Sequence, residues 1–568
     1  MCKSRPTFLM NIYFLRLYAV LDTVLVLRPL DWWEHCVLYQ IHVRSYKDSD
    51  GDGIGDLNGQ LDHLKDAGVK AVWLSPIFSS PQVDFGYDIS DYLEIHYEYG
   101  TMADFDRLVA KAHSMGIKIL LDFVPNHSSS EHQYFKDSVK RVGEYADYYV
   151  WADGFPDPSN ESLFGGSMWE WNNVRKQFYL HQFTTGQPEF NLRNPVVVKK
   201  LEGIMKFWLD QGVDGFRLDA LPHLVEAPPD ATGRYPDNPE VPVKAFTHFQ
   251  TGTTMQLYTK DRIETYPVLY EWRDFLDQYN EEHGGDTRIF LSEGYANISM
   301  TMLYYGTESG RRGAHVPFNF DFITMITNTS AARDFAYVID HWLTYMPFGM
   351  TANWVFGNHD NNRMASRFRD TMVDGLLALD MMLPGVAITY QGEEIGMRDG
   401  YVSWEDTVDV LACNRGTPDT YLEFSRDPPR TPFHWDDSPN AGFSSAPKTW
   451  LPVGLDYREL NLAKQKRDPI SHFKVYTLLS KCYLSIFSIY SILKRDLVLF
   501  IIKSIRGQFP LSTISLRTLW PPPRTLANSD AVLLRSIASK LSTSAKANIA
   551  EALQKRGSRN SALKALLY

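Results

Sequence analysis

Cysteine is scarce in this chain of 568 residues: there are four. Cys2, Cys36, Cys413 and Cys482 are too few and too scattered for a disulfide framework or a CxxC zinc site. No GxGxxG or Walker-type glycine loop follows the first apolar segment, which argues against a nucleotide fold. Positive charge is in deficit, with a formal net charge of −11, so phosphate backbones are repelled and nucleic-acid binding is excluded. Long unbroken apolar runs are missing as well. The stretch Phe8 to Leu27 is interrupted by Arg16 and Asp22, and Tyr483 to Ile502 by Lys494, Arg495 and Asp496. Both make poor membrane spans. What the chain does have is ordinary globular composition, 44% apolar and 22% charged, with a generous 14% of aromatics to offer flat surfaces to a ligand.

The two ends differ from the middle. Residues 1–30, with Lys3 and Arg5 ahead of the interrupted apolar stretch, read as a signal peptide or signal anchor. From Lys481 to Tyr568 there are 14 Lys or Arg against 3 Asp or Glu, about +11, which leaves about −22 for the rest. Such a shift marks a boundary, and residues 477–568 are expected to be a basic, partly disordered tail or an aberrant reading frame, the latter favoured. The sequons at Asn160, Asn297 and Asn328 fit a secreted or extracellular-facing, membrane-anchored protein; membrane contact requires that the N-terminal segment be retained.

Between the ends, short apolar runs alternate with amphipathic helical patterns, the signature of a parallel sheet wrapped by helices. Strands are predicted at Val37 to Val43, Lys70 to Ser75, Ile117 to Val124, Val213 to Leu218, Arg288 to Ser292, Ala314 to Phe320, Ala352 to Phe356 and Val386 to Gln391. Helices are predicted over Leu57 to Ala67, from a capping-box-like start at Thr101-Met-Ala-Asp104 to about Met115, and near Val196 to Gln211. Eight strands at this spacing favour a (β/α)₈ TIM barrel over 31–124 and 195–400. The aromatic, Gly- and Asn-rich segment 125–194 breaks the rhythm after the third strand and reads as an inserted subdomain. Residues 401–476 are left as the barrel end and a region closing over the substrate.

In such a barrel the chemistry sits at the C-terminal ends of strands. Those ends read Asp122-Phe-Val-Pro-Asn-His127, Asp214-Gly-Phe-Arg-Leu-Asp219, Leu291-Ser-Glu293 and Phe356-Gly-Asn-His-Asp360. Each presents a carboxylate where a pocket should open. Arg217 and Asp219, two apart on a strand, leave on the same face, so the guanidinium is expected to hold Asp219 ionised. Glu293 ends an apolar strand, where desolvation raises a carboxyl toward general-acid duty. One charged and one protonated carboxyl across a short gap is the arrangement of a retaining glycosidase.

These segments, with Gly86-Tyr87-Asp88-Ile-Ser-Asp91, Gln187-Pro-Glu-Phe-Asn191 and Ser425-Arg-Asp-Pro-Pro-Arg-Thr-Pro-Phe-His-Trp435, resemble the sequence blocks of the alpha-amylase superfamily, glycoside hydrolase family 13. Within it, the chain is similar to insect maltases over roughly 31–476. The resemblance implies an exo-acting, retaining alpha-glucosidase on small carbohydrates such as maltose and sucrose. Asp219 would be its nucleophile, Glu293 its acid/base and Asp360 the residue that grips the ring hydroxyls. It further implies that Tyr87, His127, Arg217 and His359 surround the terminal glucose, and that Asp88 and Arg430 grip its non-reducing end. Ala220, small and next to the nucleophile, goes with alpha-1,4 bonds in similar enzymes. Glu189 and His434 depart from the usual Asp and Gln. Relatives carry a C-terminal β domain that residues after 476 do not resemble. A transglucosidase or sucrose isomerase, and a non-catalytic transporter heavy chain, are the alternative readings.

Asp48-Ser-Asp-Gly-Asp-Gly-Ile-Gly-Asp56 matches the front of an EF-hand loop. Asp48, Asp50, Asp52 and Asp56 fall at positions 1, 3, 5 and 9, with the Ile54 carbonyl as a further ligand, so a structural Ca²⁺ is expected. Trp73, Trp208 and Trp354 read as packing between barrel and helices, His42 as a barrel-lining or core packing histidine, and Cys36 as a buried small hydrophobe.

Overall fold

The computed structural model describes residues 30–58, 61–154, 156, 160–239 and 255–486. The leader and most of the C-terminal tail lie outside the described residues, as does the place where a further β domain would stand. Eight parallel strands form the centre: β1 Val37–Ile41, β2 Ala71–Leu74, β3 Lys118–Phe123, β4 Gly215–Leu218, β5 Ile289–Ser292, β6 Val316–Pro317, β7 Asn353–Val355 and β8 Val386–Tyr390. Their spatial order, β6-β5-β4-β3-β2-β1-β8-β7, follows the chain around a nearly closed barrel, with β8 paired to β1. Each predicted strand has its counterpart, most of them shorter. The sixth shrinks most, to Val316–Pro317, and the proline there has no N–H to extend the ladder.

The strands are buried on both faces, which is why they read as continuous apolar runs rather than alternating ones. Leu38, Trp73, Leu120, Leu291 and Ile388 meet in one core cluster, which Cys36 joins. Burial pushes the Cys36 thiol up to about 12, so it is an inert packing group. Trp73 is not a filler between barrel and helices, as its apolar neighbours imply. It belongs to the barrel core, and its indole N–H donates to Asp122 Oδ2 at 3.1 Å.

The helices carry the signals that predict them. Thr101 and Asp104 form a reciprocal capping box ahead of Met102–Ser114, and Asn194 caps Pro195–Asp210 with Pro195 in its first turn. The helix expected from Leu57 is described from Leu61 to Ala67. Inside the insertion, Trp151–Ala152, Gln177–Leu180 and Trp169–Asn172 form a three-stranded antiparallel sheet with Gln177–Leu180 in the middle. At the far end, one helix spans His472–Ile486 and crosses the boundary drawn at 476/477. Phe473, Tyr476 and Ser480 are buried beneath it, and Ser480 Oγ donates to Ala67 O at 2.6 Å, so the barrel's packing continues past the predicted break.

No ladder joins β6 to β7. That seam is bridged by one side chain: Asn353 Oδ1 accepts from Asn319 N at 2.8 Å, and Asn353 Nδ2 donates to Pro317 O. The amide thus replaces two missing ladder bonds at a fully buried position. Asn353→Ala leaves two buried backbone groups unpaired and is expected to cost about 2 kcal/mol or more of stability. Denaturant unfolding of the variant beside the parent protein measures this; equal midpoints would show that the seam needs no bridge.

Candidate active site

Three consecutive strands bring the functional groups together. The parallel register sets Asp122 on β3 beside Arg217 on β4, and Leu291 on β5 beside Arg217 on the other side. Just past the ladders, Asp219 N donates to Phe123 O and Glu293 N to Leu218 O, both at 2.9 Å. Adjacent strand ends therefore deliver Asp122, Arg217, Asp219 and Glu293 to one place. Arg217 is the hub. Its Nη1 donates to Asp122 Oδ1 at 2.8 Å and also to Asp219 Oδ1, while Nη2 lies 3.9 Å from Glu293 Oε2. The guanidinium also faces the Trp73 ring, 4.9 Å from its centroid.

The side chains of Arg217 and Asp122 are 3% and 0% exposed, whereas Asp219 and Glu293 each keep 13% of theirs open. The open carboxylates line a cavity of about 160 Å³ together with Arg217, Tyr87, His127, His359 and Asp360, and Asp122 lies behind it.

Charge in the site is crowded. Burial is the strongest influence on Asp219 and raises its carboxyl; Arg217 opposes it, and the charges of Asp122, Glu293 and Asp360 add to the rise. Burial likewise raises Glu293 against the pull of Arg217 and of the Ala220 N–H, which donates to Glu293 Oε2 at 2.9 Å. Arg217 is thus shared rather than devoted to Asp219, a departure from the simple pairing that spacing implies. Ala220 makes its bond from a left-handed backbone, φ 51° and ψ 34°, a conformation that non-glycine residues seldom adopt.

Asp360 behaves oppositely. Burial would raise it, but the surrounding positive groups hold it well below the ordinary carboxylate range. Arg430 Nη2 donates to Asp360 Oδ1 at 2.8 Å, and Arg426 Nη1 stands 3.5 Å away. His359 is kept neutral by burial, its pKa pushed down to about 3, so the arginines supply the positive charge. His359 is fixed between Gln40 Nε2 at 2.7 Å and the Tyr87 hydroxyl at 2.8 Å. Tyr87 lies flat against it, rings 5.4 Å apart, and also donates to Asp122 Oδ2 at 3.0 Å. His127 is neutral as well, lowered to about 4 by burial, with Nε2 3.0 Å from Tyr87 O.

Two expected grips are misplaced. Asp88 is fully buried and accepts from Ser80 Oγ, Val83 N and Asp84 N, so it shapes the loop before Tyr87 and does not reach the cavity. Arg430 is also fully buried, spent on Asp360 and on His359 O. Their neighbours four residues back take those places: Asp84 and Arg426 both line the cavity and pair at 2.7 Å. Both lie inside or beside the quoted blocks, but a pairing across more than three hundred residues leaves no mark in local spacing. His223 and Lys260 on the cavity wall were missed for the same reason. His42 is the packing residue it reads as, stacked on Trp450.

Apart from the cavity, Asp48, Asp50 and Asp56 each place a carboxylate oxygen within 4.8 Å of the others. Three hard oxygen donors this close form a set of the kind calcium takes. Asp52 is not drawn into that cluster; its Oδ1 accepts from Ile54 N at 2.7 Å.

The unusual Glu189 is buried near the insertion's return, accepting from Gln182 N and Nε2 at 2.7 and 2.8 Å. Burial pushes it up to about 8 and Glu226 up to about 7. Acids raised by folding stabilise the fold fully below their unfolded pKa, near 4.5, and lose that contribution as pH climbs through about 7 to 8. Melting temperature is therefore expected to fall between pH 5.5 and 8.5 at constant ionic strength, less steeply in Glu226→Gln. Parallel curves for parent and variant would contradict this.

A family model described as the alpha amylase catalytic domain matches residues 40–483. The chain is 51% identical over 466 residues to Maltase 1 of Drosophila virilis, covering 80% of this chain and 72% of that protein. It is 48% identical to a salivary alpha-glucosidase of Anopheles gambiae, over 79% and 77% of the two chains. Among solved structures, the alpha-glucosyl transfer enzyme XgtA superposes with a TM-score of 0.72 at 34% identity, over 80% of this chain and 84% of that one.

Proposed function

Because the chain belongs to the alpha-amylase family and is a glycoside hydrolase of its alpha-glucosidase branch, we propose that it removes terminal alpha-1,4-linked glucose from maltose, sucrose and short oligosaccharides through a covalent glucosyl-enzyme. The single observation that carries this reading is the shared guanidinium: Asp219 and Glu293 stand on the two terminal nitrogens of Arg217, both open to the same cavity.

Arg217 contacts Asp219 directly, whereas Glu293 receives a single neutral N–H at close range. Burial raises both carboxyls, and the closer guanidinium contact makes Asp219 the one kept charged and Glu293 the one that carries the proton. Asp219 is then the anion that attacks the anomeric carbon. As the C–O bond to the leaving sugar breaks, Glu293 passes its proton to the departing oxygen. Water then attacks the glucosyl–Asp219 ester, Glu293 takes back a proton, and glucose leaves with both carboxyls restored. Asp360, held ionised by Arg430 and Arg426, accepts from ring hydroxyls, and neutral His127 and His359 add hydrogen bonds without adding charge. The Asp84–Arg426 pair bounds the non-reducing end, so one terminal glucose enters and the action is exo. Ala220 leaves room for the 1,4 linkage.

The likeness to an alpha-glucosyl transfer enzyme supports a second reading, in which a sugar replaces water as acceptor. Resemblance to a salivary protein favours secretion. Asp48, Asp50 and Asp56 would hold a structural Ca²⁺ and take no part in bond cleavage.

Folded protein given maltose is expected to release glucose, and Asp219→Ala to lose at least about 10³-fold in kcat. A folded parent without turnover ends the proposal, and isomerised or transferred products from sucrose would select the second reading. Chelation is expected to lower the melting temperature, restored by added calcium; an unchanged melting curve removes the metal.

A further inference from the structure

The far end of the cavity is a seam between two segments that meet only in the folded chain. One is the insertion loop 160–166, which contributes Leu163 and Phe164 to the wall; the other runs through Leu411 to Arg426. On the cavity side, the Arg426 guanidinium lies 4.8 Å over the Phe164 ring. On the outer side, Arg415 reaches across: its Nε donates to Leu163 O at 3.1 Å, Nη2 donates to Ser162 O at 2.8 Å, and Nη1 stands 3.1 Å from Glu161. Arg415 does not itself line the cavity.

Arg415 is also tied to the cavity's inner end. It terminates the helix Val410–Arg415, whose first turn is capped by Asp409, with Oδ1 accepting from Leu411 N at 3.2 Å. The same fully buried carboxylate accepts from Arg426 N, Nε and Nη2, at 2.6, 3.1 and 2.6 Å. One short helix therefore has the sugar-facing Arg426 anchored at its start and the bond to the insertion at its end. Three acceptors on consecutive residues suit a guanidinium fork and would not be matched by an ammonium.

We infer that Arg415 is a specificity-determining residue, the clasp that shuts the non-reducing end of the cavity and so restricts it to a single terminal glucosyl unit. The inference rests on the exo-glucosidase reading above. It places the limit on chain length in a joint outside the cavity rather than in the residues that touch sugar. Opening the joint lets a longer or capped chain extend between the two segments, while Asp219, Glu293 and Asp360 keep their places on the barrel strands.

Two substrates test this: maltose, and a maltooligosaccharide glycoside whose non-reducing terminal glucose is blocked at its 4- and 6-hydroxyls. The parent protein is expected to cleave maltose and leave the blocked chain intact. Arg415→Ala is expected to cleave the blocked chain at least about tenfold faster than the parent, with KM for maltose raised about fivefold or more and kcat little changed. Arg415→Lys should lie between. If Arg415→Ala does not fold, Glu161→Lys sets a like charge against Arg415 from a partly exposed site and should shift the same two readouts. Folded variants that match the parent on both substrates overturn the role given to Arg415. A folded parent that releases no glucose from maltose overturns the glucosidase reading instead.

Discussion

One guanidinium organises this molecule's chemistry. Arg217 is buried where desolvation is costly, and it is tolerated because Asp122, Asp219 and Glu293 surround it. The arrangement acts in both directions. The cation lets several carboxyls share a small volume, and their number exceeds what one cation can neutralise. Burial therefore raises both Asp219 and Glu293 against the pull of that one cation. Asp122 completes the balance by fixing Arg217 from the strand on its other side.

Outward from that hub, the groups that line the cavity are held by their neighbours: Arg430 and Arg426 hold Asp360, Gln40 and Tyr87 hold His359, and the N–H of Ala220 holds Glu293. The histidines are kept neutral by burial, so they add no charge beside the carboxylates. Ala220, directly after Asp219, is one of eight non-glycine residues with left-handed backbone among the described residues. The distal end is built differently, from two segments pinned by arginines, and so can be altered without moving the strands.

Much of this was legible in the chain. Apolar runs broken at glycines located the strands, and carboxylates beyond strand ends located Asp219, Glu293 and Asp360 on the cavity wall, since both depend on neighbours close in sequence. The family resemblance, carried over block by block, pointed to residues at the far end that do not line the cavity. Asp88 and Arg430 fall in recognisable blocks, yet Asp84 and Arg426, four residues earlier in each, face the space. Which member of a charged pair points inward is decided by loop geometry, as Asp88 shows by accepting the N–H groups that turn its own loop.

The sequence by itself determined the barrel and its insertion and put Asp219, Glu293 and Asp360 beyond strand ends, because strand periodicity and the rule of strand ends are properties of short segments. Only the tertiary structure decided that Arg217 is shared, that Asn353 bridges β6 and β7, and that Arg415 joins the insertion to the segment over the cavity. Each of these is a contact between residues far apart in the chain. Its strength depends on burial and on distances of about 3 Å, quantities that do not exist until the chain is folded.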